Sequence, residues 1–506
     1  MRWIRALSAD VGEGADTLGG KALGLVLLHR LGLRVPAGFV VTAEACRAFL
    51  RDGHMPDGFH DELAAAVADL ERVTCRAFGG TRQPLVVSVR SGARVSMPGM
   101  MSTVLNLGLT TGATAGLAAE TGDGAFAEDA RQRFLAGLAD ATTTDAPVPD
   151  DAHQQLELAI EAVFSSWNAP RARAYRALHD IPHDLGTATI VQSMVFGNRD
   201  AHSGTGVAFS RNPDTGANTP YGEVLFGHQG EDVVSGRSTT RPLHALADRE
   251  PAVWAELRDA LGRIEGHYRD ACYTEFTYQS GELWLLQARP GRFVGGAAVR
   301  LVTDLVDEQV IDRHEALRRI SAQHLGHVRT PRIASSEETL VLARGVGACP
   351  GVAVGLVATT PERAVRLARD APVVLVRPET SPHDMHGIAV AAGVVTARGG
   401  PASHAAVVAR ALGKPAVVGA RGLGFDSGAG AVTAGGLRLD DGTLVTIDGT
   451  SGEVVLGRPD VVTEPAGDHL RRLLAWADDV SGDHSPRGEP ERLAAAHAEL
   501  ASHHDT

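Results

Sequence analysis

Apolar positions along this chain recur with two periods, and the switches between them divide it into alternating helices and strands. Gly19-Gly20-Lys21 opens a stretch whose apolar residues keep helical spacing to Leu31, where Gly32 ends it. Val35 to Val41 then reads as a strand, and Thr42 is placed to cap the next helix. Pro84 to Val89 is an apolar run with the length of a buried strand, ending at Arg90. Residues 115 to 185 are helical in period, interrupted at Thr142 to Asp151 and near Pro170. Thr187 to Phe196 returns to strand, Ser203-Gly204 turns into another, and Arg211 to Gly216 has the composition of a tight turn. Short strands are expected at Glu223 to Phe226 and at Asp232 to Val234. Glu275 to Arg289 reads as a β-hairpin about Ser280-Gly281. Glu275 and Thr277 share a face of its first strand, and Leu285, Gln287 and Arg289 share one on the second. A carboxylate, an amide oxygen and a guanidinium are therefore expected to converge on one ligand.

Beyond the hairpin the pattern becomes more polar. A helical connector from about Ala297 to Leu325 has the character of a solvated strut with one buried side, and Thr330 to Glu338 has that of a linker. From about Val341 a compact β/α unit begins, with strands expected at Val354 to Ala358, Val373 to Val376, Gly393 to Ala397, Ala416 to Val418 and Leu444 to Asp448. Residues 461–506 hold one helix with Trp476 and then a His-, Pro- and charge-rich tail expected to be poorly ordered.

Composition narrows the class of protein. A chain of 506 residues is too long for one core and implies about three domains. With 44% hydrophobic and 22% charged residues it reads as an ordinary globular protein. It lacks a signal-like apolar segment and any apolar run of membrane-span length, so a cytoplasmic location and no membrane partner are expected. Cys46, Cys75, Cys272 and Cys349 lie far apart with no CxxC spacing, which implies neither a zinc site nor a disulfide framework. A net charge of −13 argues against a nucleic-acid partner. Of 48 basic residues only Lys21 and Lys414 are lysine, which hints at a need there for a compact ammonium rather than a planar fork.

The chemistry concentrates in one segment. Gly399-Gly400-Pro401-Ala402-Ser403-His404 runs into an Ala/Val-rich helix that stops at Gly413 and Pro415. Ser403 is a good N-cap, which places His404 on the first turn, facing unpaired N–H groups and the positive end of the helix dipole. That setting favours a neutral, nucleophilic imidazole and then stabilises an anion carried on it, such as a phosphoryl group. A polyphosphate needs cations, oxygen ligands for Mg²⁺ and a cover against water. Lys21, Arg90 and Arg94 supply cations, and Glu275 and Gln287 supply oxygens. The Met-rich loop 96–101 either closes over a ligand or packs on a core.

Several blocks taken together are specific. GGKALGL, VVSVRSGARVSMPGMM, SGTGVAFSRNPDTG, HQGEDVVSG, EFTYQSGELWLLQARPG, ETSPHDMHG and GGPASHAAVVARALG resemble, in order and over roughly residues 15 to 480, the pyruvate, phosphate dikinase family. The resemblance implies an α/β and α+β multidomain fold. It comprises an ATP-grasp nucleotide-binding domain over 1–296, a connector over 297–340, a swivelling phosphohistidine domain over 341–460, and a remnant helix with a disordered tail over 461–506. It further implies that His404 carries a phosphoryl group taken from ATP, with orthophosphate as second acceptor and AMP and pyrophosphate as products. Lys21, Arg90 and Arg289 fall on phosphate-contacting positions, Glu275 and Gln287 on Mg²⁺ and nucleotide positions, and Gln192, Glu231 and Asp232 in blocks near the nucleotide.

Three departures accompany the resemblance. Tyr273 stands where the family has an acid two residues before Glu275, and Ala402 replaces a regulatory threonine. The third is the pyruvate/phosphoenolpyruvate barrel, which needs about 250 residues and is missing from the sequence. The activity implied is thus dikinase-like transfer through His404 to pyruvate on a barrel supplied by a separate subunit. The alternatives are transfer to another acceptor, or a nucleotide-binding regulatory protein without turnover.

Overall fold

A computed structural model of the chain describes residues 2–95, 97, 100–142, 147–235, 240–326, 328–334, 340–401, 403–425, 431–463 and 467–502. The chain divides into two compact units. One comprises residues 1–205, 226–229 and 274–289, and the other 206–225, 230–273 and 290–506.

The first unit is built on a five-stranded sheet in the order Ile4–Ala6, Gly38–Val41, Ala188–Ser193, Val87–Gly92, Thr103–Leu107. Val191, Val87, Val89 and Val104 from its strands pack with Phe134, Leu156, Ile160 and Phe164 from the helices Gly124–Thr142 and Ala152–Ser166 in one continuous core. Thr42 caps the Ala43–Asp52 helix by accepting from Ala45 N, as its position predicts. The Ala15–Arg30 helix is kinked at Gly19 (φ 76°, ψ 161°), so its regular part opens at Gly20-Lys21. There a β-carbon would overlap the Gly92 carbonyl oxygen, and φ lies in the region open to glycine, so no other residue fits. The hairpin forms as Cys272–Gln279 and Glu282–Pro290 about Ser280 (φ 51°) and Gly281 (φ 79°), the paired positive φ values of a two-residue turn.

The second unit contains a closed barrel in the order Val341–Cys349, Ala416–Arg421, Gly393–Thr396, Val373–Arg377, Val352–Ala358, Leu444–Asp448, Glu453–Leu456. All five strands expected here are present, and Val341–Cys349 and Glu453–Leu456 are added to them. Ile447, Val417, Val395 and Val374 fill the barrel interior. The His404–Leu412 helix packs Ala405, Ala406, Val408 and Ala409 on its outside against Val394 and Val418.

Three segments differ from the sequence reading. Asp232–Val234 is not a strand but part of the short helix Gly230–Ser235. The connector is not a solvated strut: Ala298, Val299, Leu301, Val302 and Leu305 of the Gly295–Asp307 helix are all buried. What buries them is the segment expected to be a disordered tail. Residues Asp468–Ser481 and Glu489–Ser502 form two helices, and Leu470, Leu473, Leu474, Trp476, Leu493, Ala496 and Leu500 join the connector in one core. The expected linker contains the strand Pro331–Ile333, paired with Val461–Thr463, while residues 335–339 lie outside the described residues.

Candidate functional site

The first constellation lies in the first unit. Arg90, within the strand Val87–Gly92, turns toward the hairpin. Its Nη2 lies 3.6 Å from Glu275 Oε2, and its Nη1 donates to the Leu286 carbonyl at 3.4 Å. Lys21 has no hydrogen bond or ion pair among the described residues, and its helix is pinned by Gly20 N donating to Ala93 O at 3.0 Å. Burial, followed by repulsion from Arg90, lowers its pKa to about 8, with Glu275 opposing. Lys21, Arg90 and Glu275 are therefore electrostatic neighbours. Gln287 is buried on the second hairpin strand with its carbonyl accepting from the Thr274 hydroxyl at 2.7 Å, and Arg289 follows two positions later.

The remaining expected residues are more dispersed. Arg94 is exposed and donates to Asp16 Oδ1 at 2.7 Å, an ion pair at the start of the Ala15–Arg30 helix rather than a contact with Arg90 or Glu275. Gln192 is buried on the central strand, where its amide nitrogen donates to Pro36 O at 3.0 Å and its Oε1 is enclosed without a partner. Asp232 is partly buried, and the side chain of Glu231 lies outside the described residues. Within the Met-rich loop, Ser96, Pro98 and Gly99 lie outside the described residues, and Met97 and Met100 are buried. Tyr273 is buried with its ring 5.0 Å from that of Phe209, in an aromatic setting unlike a metal ligand's.

The second constellation lies in the second unit. His404 begins its helix at the expected place, and Gly413 ends it in the left-handed conformation (φ 62°). The ring is partly buried. Its Nδ1 lies 3.1 Å from Thr380 Oγ1, and its Nε2 is enclosed without a partner. Burial lowers its pKa to about 4, Asp384 opposing, so the imidazole is neutral at physiological pH. In the tautomer that donates Nδ1–H to Thr380 Oγ1, Nε2 carries the free lone pair. Ser403 occupies the N-cap as expected, but its side chain makes no capping bond. Gly400 approaches the Glu223 carboxylate so closely that a β-carbon would overlap it, and Arg410 of the same helix donates to Pro401 O at 2.6 Å and faces Asp214 at 3.7 Å.

Thr380 is the residue that sequence reasoning missed. It leaves the parallel strand Val373–Arg377 just before Ser381-Pro382-His383-Asp384, where Ser381 and Asp384 form a reciprocal capping box. That S-x-x-D signature at the carboxyl end of a parallel strand, where site residues of α/β units gather, was the available signal. Lys414, the other lysine, is structural: its ammonium donates to Ala389 O at 2.9 Å and to Ala391 O at the end of a helix.

Two family models match separate parts of the chain. The family model for the pyruvate phosphate dikinase AMP/ATP-binding domain matches residues 52–253, a span holding Arg90, Arg94, Gln192, Glu231 and Asp232. That for the mobile domain of PEP-utilising enzymes matches residues 369–452, a span holding Thr380, Ser403 and His404. The chain thus combines the nucleotide-binding and mobile domains of this class of phosphotransferase in a mixed α/β multidomain fold. It belongs to the pyruvate, phosphate dikinase family. It is 40% identical to pyruvate, phosphate dikinase 2 of Zea mays over 92% of this chain and 58% of the relative. It is 37% identical to pyruvate, phosphate dikinase of Rhizobium meliloti (strain 1021) over 94% and 60%, and 38% identical to that of Giardia intestinalis over 91% and 58%. The chain spans about three-fifths of the length of these curated relatives. No helix among the described residues is long and apolar enough to cross a membrane.

Proposed function

We propose that this protein phosphorylates His404 at the expense of ATP. The observation that carries the reading is the neutral, partly buried His404 with an unpartnered Nε2 at a helix N-terminus. In the scheme, Lys21 and Arg90 hold the polyphosphate oxygens, and Thr380 fixes the ring tautomer. The Nε2 lone pair takes the β-phosphoryl group, orthophosphate takes the γ-phosphoryl group, and AMP and pyrophosphate leave. Glu275 and Gln287 offer hard oxygen donors that fit Mg²⁺ only as a partner of nucleotide phosphates, since no group of three acidic, His or Cys side chains forms a cage among the described residues. Bound there, Mg²⁺ would neutralise phosphate charge. The phosphoryl group then passes to pyruvate, forming phosphoenolpyruvate on a barrel supplied by a separate subunit.

The test is direct. With β-labelled ATP, Mg²⁺ and orthophosphate, the protein should acquire an acid-labile label and release AMP and pyrophosphate. His404→Asn should lose the label yet keep its ATP affinity. Absence of label under all conditions defeats the reading, whereas label that chases to pyruvate only with an added barrel protein supports the final acceptor. One observation favours a second reading, ATP binding without turnover: Tyr273 is packed against Phe209 at a position where the family has an acid. Tight ATP binding with no AMP formed would select it.

A further inference from the structure

The N-terminus of the His404 helix is built for a cap that is not closed. Ser403 has the extended backbone of a capping residue (φ −62°, ψ 160°), but its hydroxyl accepts nothing from the helix. Thr42, Thr110, Asp151, Asp312 and Thr360, at the same position of five other helices, all accept from the residue three further on. Ser403 is only 5% exposed, and its Oγ is enclosed with no hydrogen-bond partner among the described residues. The next residue repeats the pattern, since His404 Nε2 is also enclosed and unpartnered. An unpaired buried hydroxyl is unfavourable, and one beside an unpaired ring nitrogen at a nine-residue helix's positive end leaves unmet hydrogen-bonding capacity where a bound anion would be stabilised.

We propose that Ser403 is a positioning residue for the phosphorylated carrier, its hydroxyl donating to a phosphoryl oxygen on His404 Nε2 while the free N–H groups of the first helical turn take another. The uncapped state is then the resting form of a cradle that the phosphoryl group completes. No bond is made or broken by Ser403; it lengthens the life of the phosphohistidine by holding its charge. This inference rests on the reading of His404 as the carrier.

The experiment uses the full chain and the variants Ser403→Ala and Ser403→Thr. After labelling from β-labelled ATP and removal of nucleotide, the phosphoryl group should be lost about tenfold faster from Ser403→Ala, as expected for one hydrogen bond to a charged group. Ser403→Thr should restore the wild-type lifetime. The ³¹P resonance of the phosphohistidine, identified by its absence in His404→Asn, should shift in Ser403→Ala and not in Ser403→Thr. Thermal unfolding of unphosphorylated Ser403→Ala should be unchanged or slightly raised, because no cap is removed. An unchanged lifetime and resonance in Ser403→Ala, or a lowered unfolding midpoint with an unchanged lifetime, would overturn the proposal and make Ser403 an ordinary cap. If the wild-type protein takes no label from ATP, the carrier reading fails on its own, and the same lifetimes measured after phosphorylation with potassium phosphoramidate decide the role of Ser403.

Discussion

At the scale of single residues, the two constellations differ in how they hold charge. Lys21 is a buried cation without a direct ion pair among the described residues, and its pKa of about 8 means that it loses its proton within the accessible range. A polyphosphate favours the charged form, so ATP affinity should fall as pH rises through about 8. Calorimetric titration across pH 7 to 9.5 would check this, with Lys21→Ala weakening binding about tenfold to hundredfold and flattening the trend. His404 behaves in the opposite sense. Its folded pKa lies near 4, below the ordinary 6.5, so the unfolded chain takes up a proton that the folded one does not. Its contribution to stability is therefore present above 6.5 and lost as pH falls from 6.5 towards 4. Denaturant titrations should show wild type losing stability relative to His404→Asn as pH falls from 6.5 towards 4, with no relative change above 6.5, while the labelling rate should show no step near pH 6.5. Thr380→Val keeps the shape of the side chain but removes the tautomer-fixing oxygen, and should slow label uptake at least tenfold with unchanged ATP affinity. His404, Arg90 and Lys21 were legible in sequence because each is a chemically unusual residue at a clear boundary. Thr380 was not, because a threonine acquires this role only by facing a particular ring nitrogen.

At the scale of elements, local chemistry was most readable where backbone geometry left no choice. The kink at Gly19 requires φ near 76° and no β-carbon. Gly19→Ala should therefore destabilise the first unit by about 2 kcal/mol or more and displace Lys21. A lowered denaturation midpoint together with weakened ATP binding would verify it. The Ser280-Gly281 hairpin and the Gly413 stop were legible for the same reason: each needs positive φ at defined residues. The Gly230–Ser235 helix was not. Val233 and Val234 read as strand, and only the turn they share with Glu231 and Asp232 reverses that preference.

At the scale of the whole chain, the C-terminal helices matter more than their sequence suggests. Eight buried apolar side chains from Leu470 to Leu500 share a core with the Gly295–Asp307 helix. Burying each leucine among them contributes roughly 1.5 to 3 kcal/mol, so removing residues 468–506 should destabilise the second unit by several kcal/mol or leave it insoluble. Comparing the truncated and full chains by thermal unfolding and gel filtration tests this. A soluble, equally stable truncated protein would show that these helices are dispensable.

The sequence by itself determined the order of most helices and strands, the hairpin turn, the helix opening at Gly19-Gly20-Lys21, and the place of His404 at a helix start. These follow from periods, caps and positive-φ glycines, which act over a few residues. Only tertiary structure decided that Arg90 meets Glu275, that Thr380 faces His404 Nδ1, that Arg94 turns away to Asp16, and that the polar connector is buried by the C-terminal helices. Those outcomes depend on residues tens to hundreds of positions apart, whose contact is set by the packing of whole elements and leaves no periodic trace along the chain.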